Sequence, residues 1–153
     1  MKYAVTLIIF LLINFGALGV GSWLMKNGPQ TQWYLDLNKA PWSPPGWVFG
    51  VAWTTIMICF SIYMTKLYTI DKSALVIGLF VLQVVLNVSW NFVFFNQHHV
   101  GLALIIIMLL TLVMLFFLIG YYSQIKLMSL LLLPYVLWLI IATSLNYYVY
   151  VNN

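Results

Sequence analysis

The chain has 153 residues, of which 65% are hydrophobic and only 5% are charged, and its formal net charge is +4. Soluble domains carry about 25% charged residues. The composition therefore excludes a water-soluble globular fold and predicts an all-α integral membrane protein whose main partner is the lipid bilayer. The positive charge comes from six lysines scattered between apolar runs, without any arginine. Nucleic-acid binding requires clustered basic side chains, so no nucleic-acid partner is expected.

Five apolar segments are each long enough to cross a bilayer, which takes about 20 helical residues. The predicted spans are approximately residues 3–25, 46–68, 74–96, 100–122 and 127–151. The first segment resembles a signal peptide, but it lacks a small-residue cleavage site, which indicates a retained span. No linker divides the chain, so we expect a single membrane domain over residues 1–153. The short turns predict that successive spans pack antiparallel in one bundle.

The lysines predict the orientation of this bundle. Five spans place Lys2, Lys66, Lys72 and Lys126 on one side of the membrane and Lys26 and Lys39 on the other. By the positive-inside rule, the N-terminus is expected inside and the C-terminus outside. The segment between the first two spans then lies outside.

That segment, together with the start of the second span, differs from the rest of the chain. The stretch Trp33–Trp53 holds four of the seven tryptophans and three prolines. The prolines interrupt helical structure, because each lacks a backbone N–H and disfavours helix at the residue before it. We interpret the stretch as a long first loop that covers an internal pocket, with Trp53 inside the pocket.

The third span places amides and aromatic rings on one helical stripe. Gln83, Asn87, Trp90 and Phe94 recur at spacings of three and four residues, which is the repeat of one helix face. Two interpretations stay open for Gln83 and Asn87: hydrogen bonds between helices, or direct contact with a ligand. The two are compatible if bonds between helices frame a pocket.

The first and fifth spans each carry a further pattern. Pro134 is expected to kink or loosen the fifth span, and Trp138, Ala142 and Leu145 share one face of it. A small residue one turn from a tryptophan leaves room for a flat ligand, although ordinary helix packing explains the pattern equally well. In the first span, Gly16, Gly19 and Ser22 form a small-residue face for helix contact, within one protomer or between two.

The sequence lacks the residues that ion-coupled transport, metal binding and nucleophilic catalysis require. No span has an ionisable residue near its middle, which disfavours a proton- or ion-coupled pump. His98 and His99 are adjacent and lack nearby ligands in the sequence, which disfavours a metal site. Cys59 is isolated and is interpreted as a small buried apolar residue. No nucleophile motif or phosphate-binding loop is present, so we expect no required cofactor and recognition by aromatic side chains.

Three stretches together resemble the TspO or translocator protein family, which includes tryptophan-rich sensory proteins and the peripheral-type benzodiazepine receptor. The first is WYLDLNKAPWSPPGWVFGVAW, Trp33–Trp53. The second is QVVLNVSWNFVFF, Gln83–Phe95, and the third is LLPYVLWLIIATSLNY, Leu132–Tyr147. The resemblance covers nearly the whole chain.

The resemblance implies a five-helix homodimer in a bacterial cell membrane that binds porphyrins, such as protoporphyrin IX, and flat synthetic ligands. The implied ligand-binding positions are Tyr34, Pro44, Phe49, Trp53, Asn87, Trp90, Trp138, Ala142 and Leu145. The implied function is that of a receptor or sensor. Alternatives are porphyrin transport, or light- and oxygen-dependent porphyrin degradation through Trp53 and Trp138. Trp42 and Trp47 are then expected to pack the loop and anchor it at the interface.

The chain departs from the family pattern at a few positions. Val51 replaces a common proline, Met57 replaces a common tyrosine, and Ile106 lies near an acidic position of some members. The last residues, YVYVNN, supply no basic side chain for a cholesterol-recognition pattern. Cholesterol binding is therefore not expected.

Overall fold

Five long apolar helices dominate the structure, a computed structural model that describes residues 2–153. They are α1 (Lys2–Met25), α3 (Gly46–Ile70), α4 (Ala74–Asn91), α5 (Val100–Gly120) and α7 (Leu133–Asn152). Two short helices, α2 (Gln32–Asp36) and α6 (Tyr122–Ile125), lie in the connections. Five helical segments are long and apolar enough to cross a membrane, so the five predicted spans are confirmed.

Two of the spans are not uniform α-helices. The third continues from α4 into a π-helical turn, Phe92–Asn96. The fifth begins with a 3-10 segment, Lys126–Leu132, ahead of α7. Pro134 falls in the first turn of α7, where its missing N–H removes no helical hydrogen bond. The expected kink inside the helix is therefore replaced by a change of helix type just before the proline.

The five helices close into a ring. α1 packs against α3 and α4, α4 packs against α5, α5 packs against α7, and α7 with its 3-10 segment returns to α3. The prediction that successive spans pack together is wrong for α3 and α4, which are joined by three residues but make few backbone contacts.

α1 separates α3 from α4 because it packs against both helices. Asn14 is buried and its Nδ2 donates a hydrogen bond to Ser61 Oγ of α3 at 2.8 Å. On the other side, a Cβ at Gly21 would lie 2.8 Å from Asn91 Nδ2 of α4, so a larger residue at this position would displace the Asn91 amide. Gly16 and Gly19 are exposed, with open space beside them, so they form no contact within the protomer.

Aromatic side chains fill the centre of the ring. Phe60 of α3 is fully buried and contacts the rings of Phe80, Phe117 and Tyr135, with centroids 6.0, 6.1 and 5.6 Å away. These three rings belong to α4, α5 and α7. α3 makes few backbone contacts with α4 and α5, and the Phe60 side chain meets both helices inside the ring.

Candidate functional site

The first loop begins with a well-ordered turn around α2. Thr31 caps α2 by accepting the Tyr34 backbone N–H at 3.4 Å. Beyond the helix, Lys39 Nζ donates hydrogen bonds to the carbonyls of Tyr34 and Leu35, at 2.7 and 3.0 Å. The same ammonium lies 4.8 Å from the centroid of the Tyr34 ring. Lys39 thus satisfies the free carbonyl groups at the end of α2.

The loop is fastened to the end of α7 by contacts that we call the C-terminal latch. The Asn38 backbone N–H donates to Asn153 Oδ1 at 2.8 Å, and Asn153 Nδ2 donates to the Asn38 carbonyl at 3.3 Å. Further along the loop, Trp42 Nε1 donates to Ser144 Oγ at 3.1 Å. The Trp42 ring also meets Tyr148 edge to face at 5.4 Å. Trp42 therefore joins the loop to α7, together with the hydrogen bonds between Asn38 and Asn153.

Weakening the latch is predicted to free the loop. In Asn153→Ala the Asn38 N–H loses its acceptor, so its hydrogen exchange should become roughly tenfold faster, the effect of losing about one net hydrogen bond. Amide exchange of the loop, measured in lipid nanodiscs, tests this. Asn152→Ala is the matched control, because Asn152 bonds only to the Tyr148 carbonyl of its own helix. Equal exchange rates at Asn38 in the two variants would show that the latch does not hold the loop.

A group of rings under α2 forms an outer aromatic cluster: Trp33, Tyr34, Trp90, Phe94 and Phe95. Trp90 stacks on Phe94 at 5.1 Å, and Tyr34 meets Phe94 and Phe95 at 6.4 and 5.3 Å. Burial raises the pKa of the Tyr34 phenol above its usual value of 10.0, so this hydroxyl remains a hydrogen-bond donor at neutral pH.

A second set of rings joins α3 to α7 deeper in the bundle. Phe49 meets Trp138 edge to face at 5.1 Å, and Trp53 meets Tyr135 in the same manner at 5.9 Å. Trp138 is only 6% exposed, and Trp53 is half-buried. We call Phe49, Trp53, Tyr135 and Trp138 the inner aromatic wall.

Two hydrogen bonds span the gap between α4 and α7, which make few backbone contacts. The Tyr135 hydroxyl donates to Gln83 Oε1 at 3.0 Å, and Trp90 Nε1 donates to Asn146 Oδ1 at 2.9 Å. Asn146 Nδ2 in turn donates to the Val100 carbonyl at 3.1 Å. Seven residues of helix separate the two bridges along α4, a distance of about 10 Å. The bridges hold the two helices at a fixed separation.

Asn87 lies between these bridges on the same stripe of α4. It is 7% exposed, and among residues 2–153 no hydrogen bond reaches its side-chain amide, although its backbone carbonyl accepts one from Asn91. On α7, Trp138 and Ala142 lie between Tyr135 and Asn146 in the sequence. Gln83 therefore makes the interhelical bond that one interpretation expected, whereas Asn87 keeps its amide without a protein partner.

The nine predicted ligand positions fall into separate environments. Phe49, Trp53, Trp138 and Ala142 pack in or against the main core, and Tyr34 and Trp90 lie in the outer aromatic cluster. Pro44 and Leu145 are half-buried. Two cavities, of about 670 and 410 Å³, lie elsewhere and are lined by none of the nine. That these nine residues form one ligand pocket stays a prediction.

The sequence did not indicate several residues that form hydrogen bonds or ring contacts with the predicted site residues. Tyr135 and Asn146 occur in the third family-like stretch, yet neither was assigned a role, although the bridges depend on both. Their spacing from Trp138 and Ala142 was the available signal, because all four recur at helical intervals. The stacking of Trp33 on His98, at 3.9 Å and 11°, had no sequence signal, since the two residues lie in different connections.

These features define an integral membrane protein with a ring of five helices and a tryptophan-rich first loop fastened over one end. The family model described as the TspO/MBR family matches residues 7–151. The chain therefore belongs to the TspO/MBR family.

Individual relatives agree with this assignment. The tryptophan-rich sensory protein of Cereibacter sphaeroides is 29% identical over 116 residues, which cover 76% of this chain and 73% of the relative. The translocator protein of Homo sapiens is 30% identical over 132 residues, covering 83% and 78%. The tryptophan-rich protein TspO of Archaeoglobus fulgidus is 30% identical over 155 residues, covering 100% and 97%.

Proposed function

We propose that the protein is a membrane receptor or sensor that binds porphyrins, such as protoporphyrin IX, and other flat hydrophobic ligands between α3, α4 and α7. The observation that carries the proposal is Asn87: the residue is 7% exposed, and among residues 2–153 its side-chain amide has no hydrogen-bond partner. In the described part of the chain, the buried side-chain atoms without a partner are Ser129 Oγ and Thr143 Oγ1, so the Asn87 amide is not sealed in the core and stays accessible to a ligand. A ligand that accepts from or donates to this amide would supply its missing hydrogen-bond partner.

The surroundings of Asn87 suit a flat conjugated molecule. Trp53 and Trp138 offer large ring surfaces, which stack on or pack edge to face with planar ligands. The bridges at Gln83 and Trp90 keep the walls apart above and below the amide. The relatives' names add that one is a sensory protein and another a translocator. We further propose a homodimer with its N-terminus inside the cell.

Removing the two inner tryptophans is expected to weaken porphyrin binding. We predict that Trp53→Phe combined with Trp138→Phe lowers protoporphyrin IX affinity by about tenfold, because smaller rings lose stacking area. Binding is measured in detergent by the shift of the porphyrin absorption band and by quenching of tryptophan fluorescence. Phenylalanine keeps the core filled, so thermal unfolding should change little.

The matched control removes two exposed tryptophans instead, Trp23→Phe with Trp47→Phe; these side chains are 76% and 71% exposed. Its affinity should stay within about twofold of the parent. If both double variants bind porphyrin equally well, the inner aromatic wall is not the binding site.

The same variants distinguish the two alternatives. Trp53 contacts the oxidisable ring of Tyr135, so light- and oxygen-dependent porphyrin degradation has a specific observation in its favour. Under illumination in air, the parent should then bleach the porphyrin faster than Trp53→Phe does. Equal rates of porphyrin bleaching with the parent, with the variant and without protein would exclude degradation by the protein. Porphyrin flux into proteoliposomes, compared with protein-free liposomes, tests transport.

A further inference from the structure

A cavity of about 670 Å³ opens beside the latch and is separate from the inner aromatic wall. It lies between the end of α2, the turn before α5 and the end of α7, with Trp33, His98, His99, Tyr150 and Asn153 among its lining residues. Small-molecule sites typically measure about 300–1,000 Å³. The cavity is therefore large enough for a ligand of one to three fused rings.

Aromatic side chains from α2, from the turn before α5 and from α7 line this cavity. The Trp33 indole and the His98 imidazole stack at 3.9 Å with an angle of 11°. His98 has a φ of 58°, a left-handed conformation that histidine tolerates better than most residues. Tyr150 also lines the cavity and packs directly on α5, because Gly101 has no Cβ; a Cβ there would lie 2.9 Å from the Tyr150 ring.

The two imidazoles at the cavity have no acidic partner among residues 2–153. Within residues 2–153, no hydrogen bond joins the His98 or His99 imidazole to another side chain or carbonyl. The two acids of the chain form hydrogen bonds of their own: Asp36, at the end of α2, accepts from Gln32 Nε2 at 2.7 Å, and Asp71, before α4, accepts from the Ser73 N–H at 2.8 Å. The first turn of α5 borders the cavity as well, and no side chain caps it. Imidazole N–H groups that are paired with no carboxylate are free to donate to an oxyanion on a ligand.

We propose that this cavity is a second binding site, specific for a planar aromatic carboxylate whose rings lie against Trp33 and Tyr150 while its carboxylate accepts from His98 and His99. The site is independent of the porphyrin site proposed above, because none of the nine predicted ligand positions lines it.

The two histidines make the proposal directly measurable, since they are the only two in the chain. With ¹³Cε1-histidine labelling in lipid nanodiscs, two imidazole signals report on this cavity alone. Naphthalene-2,6-dicarboxylate, a soluble planar diacid, is the probe. We expect both signals to shift until saturation. The neutral naphthalene-2,6-dimethanol should bind about tenfold more weakly, because it lacks the charged acceptor.

Single substitutions leave one histidine as reporter. His99→Leu removes a hydrogen-bond donor. The affinity for the diacid, measured from the shift of the His98 signal, should fall, and the difference in affinity between the diacid and the diol should become smaller. Gly101→Ala displaces the Tyr150 ring and should weaken both probes, as seen at both histidines. The Trp53→Phe, Trp138→Phe variant should titrate like the parent, so failure of the porphyrin proposal would leave this result unchanged. Histidine signals that do not shift, or that shift equally with the diol, would overturn the proposal.

Discussion

Replacing Phe60 by alanine is expected to lower the free energy of unfolding by on the order of 3 kcal/mol. The ring is 0% exposed and lies between Phe80, Phe117 and Tyr135 of three other helices. Lipid tails are as apolar as the core, so the loss comes from vanished van der Waals contacts and a cavity that the ring of helices cannot close. The free energy of unfolding is measured by equilibrium unfolding in mixed detergent micelles.

Phe116→Ala is the matched control for this prediction. Phe116 is 47% exposed on the outside of α5, where lipid occupies the space left by the missing ring. Its unfolding free energy should change by less than about 1 kcal/mol. Similar losses in the two variants would mean that Phe60 does not organise the interior.

Substitutions at Asn87 and Gln83 are expected to act with opposite signs. In Asn87→Leu, an amide without a protein partner is replaced by an apolar group of similar shape. This change should stabilise the protein by about 1 kcal/mol. The same change removes the proposed ligand contact, so protoporphyrin IX affinity should fall by about tenfold. Gains in stability at the expense of function are typical of binding residues.

Gln83→Met keeps the length of the side chain but leaves the Tyr135 hydroxyl without its acceptor. Stability should therefore fall by about 1 kcal/mol, with porphyrin affinity changed less than in Asn87→Leu. Both quantities are measured in the same detergent, by unfolding and by absorbance titration. If Asn87→Leu destabilises the protein and leaves binding intact, Asn87 has a structural role and the proposed site loses its main support.

The polar stripe of α4 was predictable from the sequence, but its hydrogen-bond partners were not. The stripe of Gln83, Asn87 and Trp90 was visible from spacing alone, and α7 does face it. The spacing did not reveal that Gln83 bonds to Tyr135, whereas the Asn87 side-chain amide has no hydrogen-bond partner among residues 2–153. Which amide finds a partner depends on the residue opposite it, and that residue belongs to a helix more than 40 positions away in the chain.

For Pro134, too, only the local effect was predictable from the sequence. Its effect on a helix was predictable, because a missing N–H acts locally. Its position in the first turn of α7 was not predictable, because that depends on where the 3-10 segment Lys126–Leu132 ends.

The sequence by itself determined the five membrane spans and the exceptional first loop, since hydrophobic length and proline content act within single segments. The tertiary structure alone decided that α1 stands between α3 and α4, that Asn38 and Trp42 are fastened to α7, and that Trp33 stacks on His98. Lipid solvates the outside of the bundle with groups as apolar as its core. Most faces of the helices are consequently apolar. Outside the polar stripe of α4, periodicity does not show which face turns inward, and it shows for no helix which neighbour that face meets.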